Sequence, residues 1–130
     1  MAKKNESEFS VTIPVPDEEP LRGKFRVKVK LSYRDILNMD SIRRQLLGPN
    51  GGEADGMAAL VASGLAKIRT HSLETPSWWK EAGDGLEFED INVVLSVLTE
   101  INNIEKEHLA EVQKAADKAV EELKPTDKKK

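Results

Sequence analysis

The chain has no cysteine, and among its 130 residues aromatics are scarce: three phenylalanines, two tryptophans and one tyrosine. The first absence excludes disulfides, thiolate metal sites and a cysteine nucleophile, and suits a reducing compartment. It has only two histidines, His71 and His108, in different segments and without H-x-x-x-H or H-E-x-x-H spacing, so no zinc or metalloprotease motif is present. Both read as surface or capping histidines. No run of about 18 apolar residues exists to span a membrane, and the polar residues 1–7 precede nothing that resembles a signal peptide. A soluble, unexported protein is expected. One-sided charge is also missing: 20 basic residues nearly cancel 23 acidic ones for a net −3, so no global field points to nucleic acid or an anionic membrane.

What remains is a chain of one modest domain, since single domains commonly run about 100–150 residues. Phe9, Val11, Ile13 and Val15 alternate with polar residues and Pro14, the period of a half-buried strand, and Pro14 makes it a sheet edge or ends it there. Residues 16–20, acidic and bounded by prolines, read as a turn. Gly23 then opens a second strand, with Phe25, Val27, Val29 and Leu31 opposite Lys24, Arg26, Lys28 and Lys30. The two runs predict a hairpin, which requires helices or further strands to cover its apolar face.

Ser32 and Asp35 form a capping-box pattern, so a helix is expected from Tyr33, with an imperfect stripe of Ile36, Leu37, Ile42 and Leu46 or Leu47, until Gly48-Pro49-Asn50-Gly51-Gly52 stops it. A second helix carries Met57, Leu60, Val61, Leu65 and Ile68, with Ala58, Ala62, Gly64 and Ala66 permitting close packing. A third runs from Ile91 towards Pro125, about 50 Å if continuous, several times the ~13 Å radius of gyration of such a domain. Its far half is expected to project. The predicted fold is α+β: an N-terminal hairpin packed on about three helices, the last long and partly projecting. Residues 1–7 are expected to be disordered, 8–101 compact, 102–124 a projecting helix end and 125–130 a disordered basic tail.

Candidate chemistry is thin. The glycines of residues 48–52 lack the order and preceding strand of a phosphate cradle. Asp84, Glu87, Glu89 and Asp90 are weighed as an acid/base or cation cluster, but Asp90 reads better as the cap of the long helix. No catalytic residue, cofactor or metal ligand is proposed. The basic strand face is a solvated face, an edge protected by lysine, or a dock for an acidic protein through Arg26 and Lys28. Nucleic acid is the weaker reading, because no aromatic interleaves with those cations. Trp78 and Trp79, side by side before the long helix, concentrate the chain's large rigid apolar surface. Adjacent side chains diverge, so one anchors the core while the other is presented to a partner; the sequence leaves open which. Leu109 and Val112 continue the stripe of the long helix past the domain and read as an assembly face.

Phe9-x-Val11-x-Ile13-Pro14-x-Pro16, Gly23-Lys24-Phe25-Arg26-Val27-Lys28, Leu31-Ser32-Tyr33-Arg34-Asp35 and Arg43-Arg44-Gln45-Leu46-Leu47-Gly48 resemble the opening of tail assembly chaperones from long-tailed bacteriophages and prophages. Pro76-Ser77-Trp78-Trp79, Gly85-Leu86 and Asp90-Ile91-Asn92-Val93-Val94 extend the resemblance, which covers about residues 9–100. It implies a non-enzymatic factor of the bacterial host cytoplasm, absent from the mature virion, that binds and solubilises the tape measure protein. It further implies a frameshifted longer product that recruits tail tube subunits. Self-association is expected as well. The alternative is a small virion or head-to-tail connector component acting by sheet augmentation.

Overall fold

The computed structural model describes residues 5–49 and 56–123. Along the chain come β1 (Glu6–Val15), β2 (Glu18–Lys28), α1 (Tyr33–Leu47), α2 (Gly56–His71), β3 (Ser72–Glu74), α3 (Ser77–Glu81) and α4 (Ile91–Leu123). The fold is α+β, with an antiparallel sheet ordered β1-β2-β3 whose apolar face rests on α2 and α4. Residues 1–4, the loop residues 50–52 and the basic tail from 124 onward lie outside the described residues.

The hairpin forms as its alternation requires, and Val11, Ile13, Phe25 and Val27 are buried. Its turn is shorter than residues 16–20. Only Pro16 and Asp17 connect the strands, Asp17 at φ 64°, and Val15 already pairs with Glu18. Between that pair and Ile13–Leu21, Pro14 faces two residues, Glu19 and Pro20. This bulge absorbs prolines that lack a ladder donor, so the proline-bounded stretch belongs to the strand. At the open end, β1 begins at Glu6, within the stretch expected to be disordered. The Asn5 carboxamide explains the order there: its Oδ1 accepts from the Val29 and Lys30 amides at 3.1 and 2.6 Å, and its Nδ2 donates to the Lys30 carbonyl at 2.9 Å. Those bonds also end β2 at Lys28, before Val29 and Leu31 can continue it.

α1 starts where its capping box places it. The Ser32 hydroxyl accepts from the Asp35 amide at 3.1 Å, and the Asp35 carboxylate accepts from the Ser32 amide at 3.0 Å. Lys28 at 2.8 Å, foremost, and then the Ser32 amide hold the Asp35 carboxyl below its ordinary 3.8, at about 2. A carboxyl depressed by folding stabilises the fold above its unfolded value, and that contribution disappears as pH falls through the folded value. Asp35→Asn should therefore lower the urea midpoint near neutral pH and lose its deficit between about pH 4 and about pH 2. Midpoints of both chains at the two ends of that window check this; a constant difference overturns it. α1 itself has no fully buried residue, and Ile36 and Leu37 are exposed, so its imperfect stripe covers α2 only loosely.

In α2 the core residues are Ala62, Leu65, Ala66 and Ile68, whereas Met57 and Leu60 lie outside the core. The small residues act as expected: a Cβ on Gly64 would sit 3.3 Å from Val94 and 3.4 Å from Leu98 of α4. Neither β3 nor α3 is foreseen by periodicity, being three and five residues long. β3 pairs with Arg26 and Val27. α4 is one continuous helix, about 50 Å at 1.5 Å per residue, whose start Asp90 caps by accepting from the Asn92 amide at 2.9 Å. Val93, Val94, Val97 and Ile101 enter the core, and contact with the domain persists through Ile104, Glu105 and His108. Every residue of 109–123 is exposed, so the projection begins several residues beyond 102. No helix among the described residues is long and apolar enough to cross a membrane.

Candidate protein interface

Every phenylalanine and tryptophan of the chain joins one cluster. Phe9 stacks on Phe25 with centroids 5.2 Å apart, and Phe25 meets Trp79 edge-on at 5.5 Å and Trp78 at 6.1 Å. Phe88 closes the far side, 6.0 Å from each indole. α3 divides the labour between the tryptophans. Trp79 is 2% exposed and forms the floor, packed so closely that a Cβ on Gly85, which has φ 96°, would lie 2.7 Å from its ring. Trp78 is half-buried and lies over the β2 edge, donating from Nε1 to the Arg22 carbonyl at 2.8 Å. That seat requires Gly23 beneath it, since a Cβ there would come within 2.5 Å of Pro76 and 3.0 Å of the indole nitrogen. Of the pair, Trp78 alone keeps a surface to offer a partner.

The basic strand face is largely neutralised within the domain. Arg26 spans the sheet, 2.8 Å from Glu6 and 3.3 Å from Glu74, and its pKa is raised, first by Glu74 and then by Glu6. Lys28 pairs with Asp35 at 2.8 Å and Lys24 with Glu8 at 3.7 Å. Arg26 and Lys28 would have to surrender these contacts to grip an acidic partner or a phosphate.

Leu109 and Val112 are 64% and 48% exposed. At about 100° per residue they share one arc of roughly 80° with Ala116, Val120 and Leu123. The arc continues the side of α4 on which Val94 and Leu98 meet α2. This is an apolar face uncovered within the domain.

His71 corrects the expectation of a surface histidine. It is fully buried, with Nδ1 2.6 Å from the Lys28 carbonyl and Nε2 2.9 Å from Glu105 Oε2, while Lys67 reaches the other oxygen of that carboxylate at 2.6 Å. A carbonyl only accepts, so Nδ1 is the donor in the bond to Lys28. The imidazole thereby ties the end of β2 to α4. Its position just before β3 is the reason for burial, and periodicity alone does not reveal it. Among the described residues, no group of three or more His, Asp or Glu side chains is arranged to hold a metal ion.

A third feature escapes sequence reasoning because distant segments build it. An open groove of about 880 Å³ runs between the hairpin tip and the loop entering α4, walled by Val15, Leu21, Met57, Val61, Leu86 and Phe88. Neither a scan against protein-family models nor searches of curated proteins and of solved structures finds a match to this chain.

Proposed function

We propose that the protein is a non-enzymatic assembly factor of a long-tailed phage or prophage, a tail assembly chaperone that binds and solubilises the tape measure protein in the host cytoplasm and helps recruit tail tube subunits. The observation that carries the reading is the distal half of α4. A regular helix extends from the domain with Leu109, Val112, Val120 and Leu123 exposed along one side and Glu111, Lys114, Asp117 and Lys118 around them. A holdase has to keep such a face soluble by surrounding charge and lend it to a client. A long helical client offers the same match many times, so modest affinity per site accumulates along it. Trp78 adds a rigid half-buried contact near the other end. The motifs around the tryptophan pair and the start of α4 point to the same family of assembly factors.

Co-expression with the longest protein encoded just downstream in the native genome tests this. The native chain should raise that client's soluble fraction several-fold, and Leu109→Glu with Val112→Glu should abolish the effect while leaving the domain's stability within about 0.5 kcal/mol, as exposed sites do. A client that remains insoluble beside the native chain overturns the proposal. One observation favours a second reading: among the described residues β1 is an open sheet edge, which suits a virion component that augments a neighbour's sheet. Retention of the chain in purified particles decides for it.

A further inference from the structure

The groove at the hairpin tip differs from the sheet's open end in how its charges are used. Around the sheet's open end, Glu6, Glu8, Asp35 and Glu74 are all ion-paired. Among the described residues, Glu18, Glu87 and Glu89 around the groove pair with no cation, and no lysine, arginine or histidine lines it. Met57 and Leu86, on its walls, are 57% and 49% exposed. A second apolar hollow of about 400 Å³, with Leu46, Leu47 and Leu65, shares Val61 and Leu86 with it and lengthens the trough along α2. An apolar trough with unpaired carboxylates on its rim and no compensating cation is complementary to an apolar surface flanked by positive charge.

From this we infer that the groove docks an amphipathic helix of a partner protein whose apolar face is bordered by lysine or arginine. The walls explain why a helix fits better than a strand. Pro14 and Pro16 line the groove without amide N–H groups, so an extended segment finds few ladder donors there, whereas apolar side chains spaced along a trough receive the i, i+3, i+4 and i+7 positions of a helix. An anionic membrane or a nucleic acid would meet the carboxylates with like charge. A second copy's projecting α4 matches poorly, since Glu111, Asp117, Glu121 and Glu122 outnumber Lys114 and Lys118 on it. The inference stands apart from the tape measure reading, which rests on α4.

The test uses the full chain and a fluorescein-labelled Leu/Lys peptide of about five helical turns, followed by anisotropy at physiological salt. Saturable one-to-one binding is expected. A peptide of the same composition scrambled to remove the apolar face, and a Leu/Glu helix, should bind at least about tenfold more weakly. Leu86→Ser and, independently, Glu18→Lys with Glu87→Lys should each weaken binding by about tenfold, with unchanged circular dichroism showing that both chains fold. Glu121→Lys with Glu122→Lys, the same change of charge on distal α4, should leave it unaltered. Absence of binding, equal binding of the scrambled peptide, or equal loss from the distal reversal overturns the inference. So does a dimer in sedimentation that Leu86→Ser dissociates, which would assign the groove to a second copy.

Discussion

Trp79→Ala is expected to remove about 3–5 kcal/mol of folding stability, the usual cost of truncating a fully buried large aromatic. Against the roughly 5–15 kcal/mol that holds a domain together, this is about a fifth or more, and it should lower the melting temperature by roughly 10–20 °C. Trp79 is the shared neighbour of Phe25, Trp78 and Phe88, so its loss opens a cavity under three rings rather than one. Trp78→Ala should cost much less, about 1–3 kcal/mol, because that indole is half-buried and loses one hydrogen bond to the Arg22 carbonyl. Calorimetry of the two variants checks the ordering, and equal melting temperatures would contradict the assignment of floor and lid. The ordering also bears on function: a client-binding defect in the Trp79 variant reports unfolding, whereas one in the Trp78 variant reports contact.

His71→Leu should cost about 3 kcal/mol despite filling similar space, because it strands the Lys28 carbonyl and removes one partner from Glu105. Glu105→Gln separates hydrogen bonding from charge. With a neutral imidazole keeping its proton on Nδ1, Nε2 accepts from the glutamine amide, so every buried ring nitrogen stays bonded and only the contact with Lys67 is weakened. That change should cost no more than about 1 kcal/mol by urea denaturation. If Glu105→Gln proves as damaging as His71→Leu, the ion pair rather than the bonding of the imidazole secures α4 to the sheet.

The sequence made the long-period features legible. The alternation of Phe9, Val11 and Ile13 with Phe25 and Val27, the Ser32–Asp35 cap and the apolar repeat of α4 all appear where local rules place them, because period and capping are local properties. β3 and α3 were not legible, being too short to establish a period and defined by what lies beside them: β3 by the vacant edge at Arg26 and Val27, α3 by the need to turn Trp79 inward. The turn is shorter than its bounding prolines suggest because a bulge lets Pro20 remain in a strand. In the candidate interface, the residue types were visible but their engagement was not. Alternation places Arg26 and Lys28 on a common face, yet only the fold brings Glu6, Glu74 and Asp35 to meet them. The groove was out of reach altogether, since Leu21, Met57 and Phe88 become neighbours only in three dimensions.

The continuity of α4 carries a kinetic meaning. Starting a helix is the unfavourable step, with a nucleation constant on the order of 10⁻³, while extending one is nearly neutral per residue. In this chain the first turns are fixed by Val93, Val94, Val97 and Ile101 in the core, so residues 109–123 grow from a nucleus that never has to be made again. Their amide exchange should quicken steadily from Ile101 towards Leu123, as a rod that melts and regrows from the end away from the core. A partner arriving there therefore meets a helix it need only extend, and recognition can proceed turn by turn along the rod without a separate folding event.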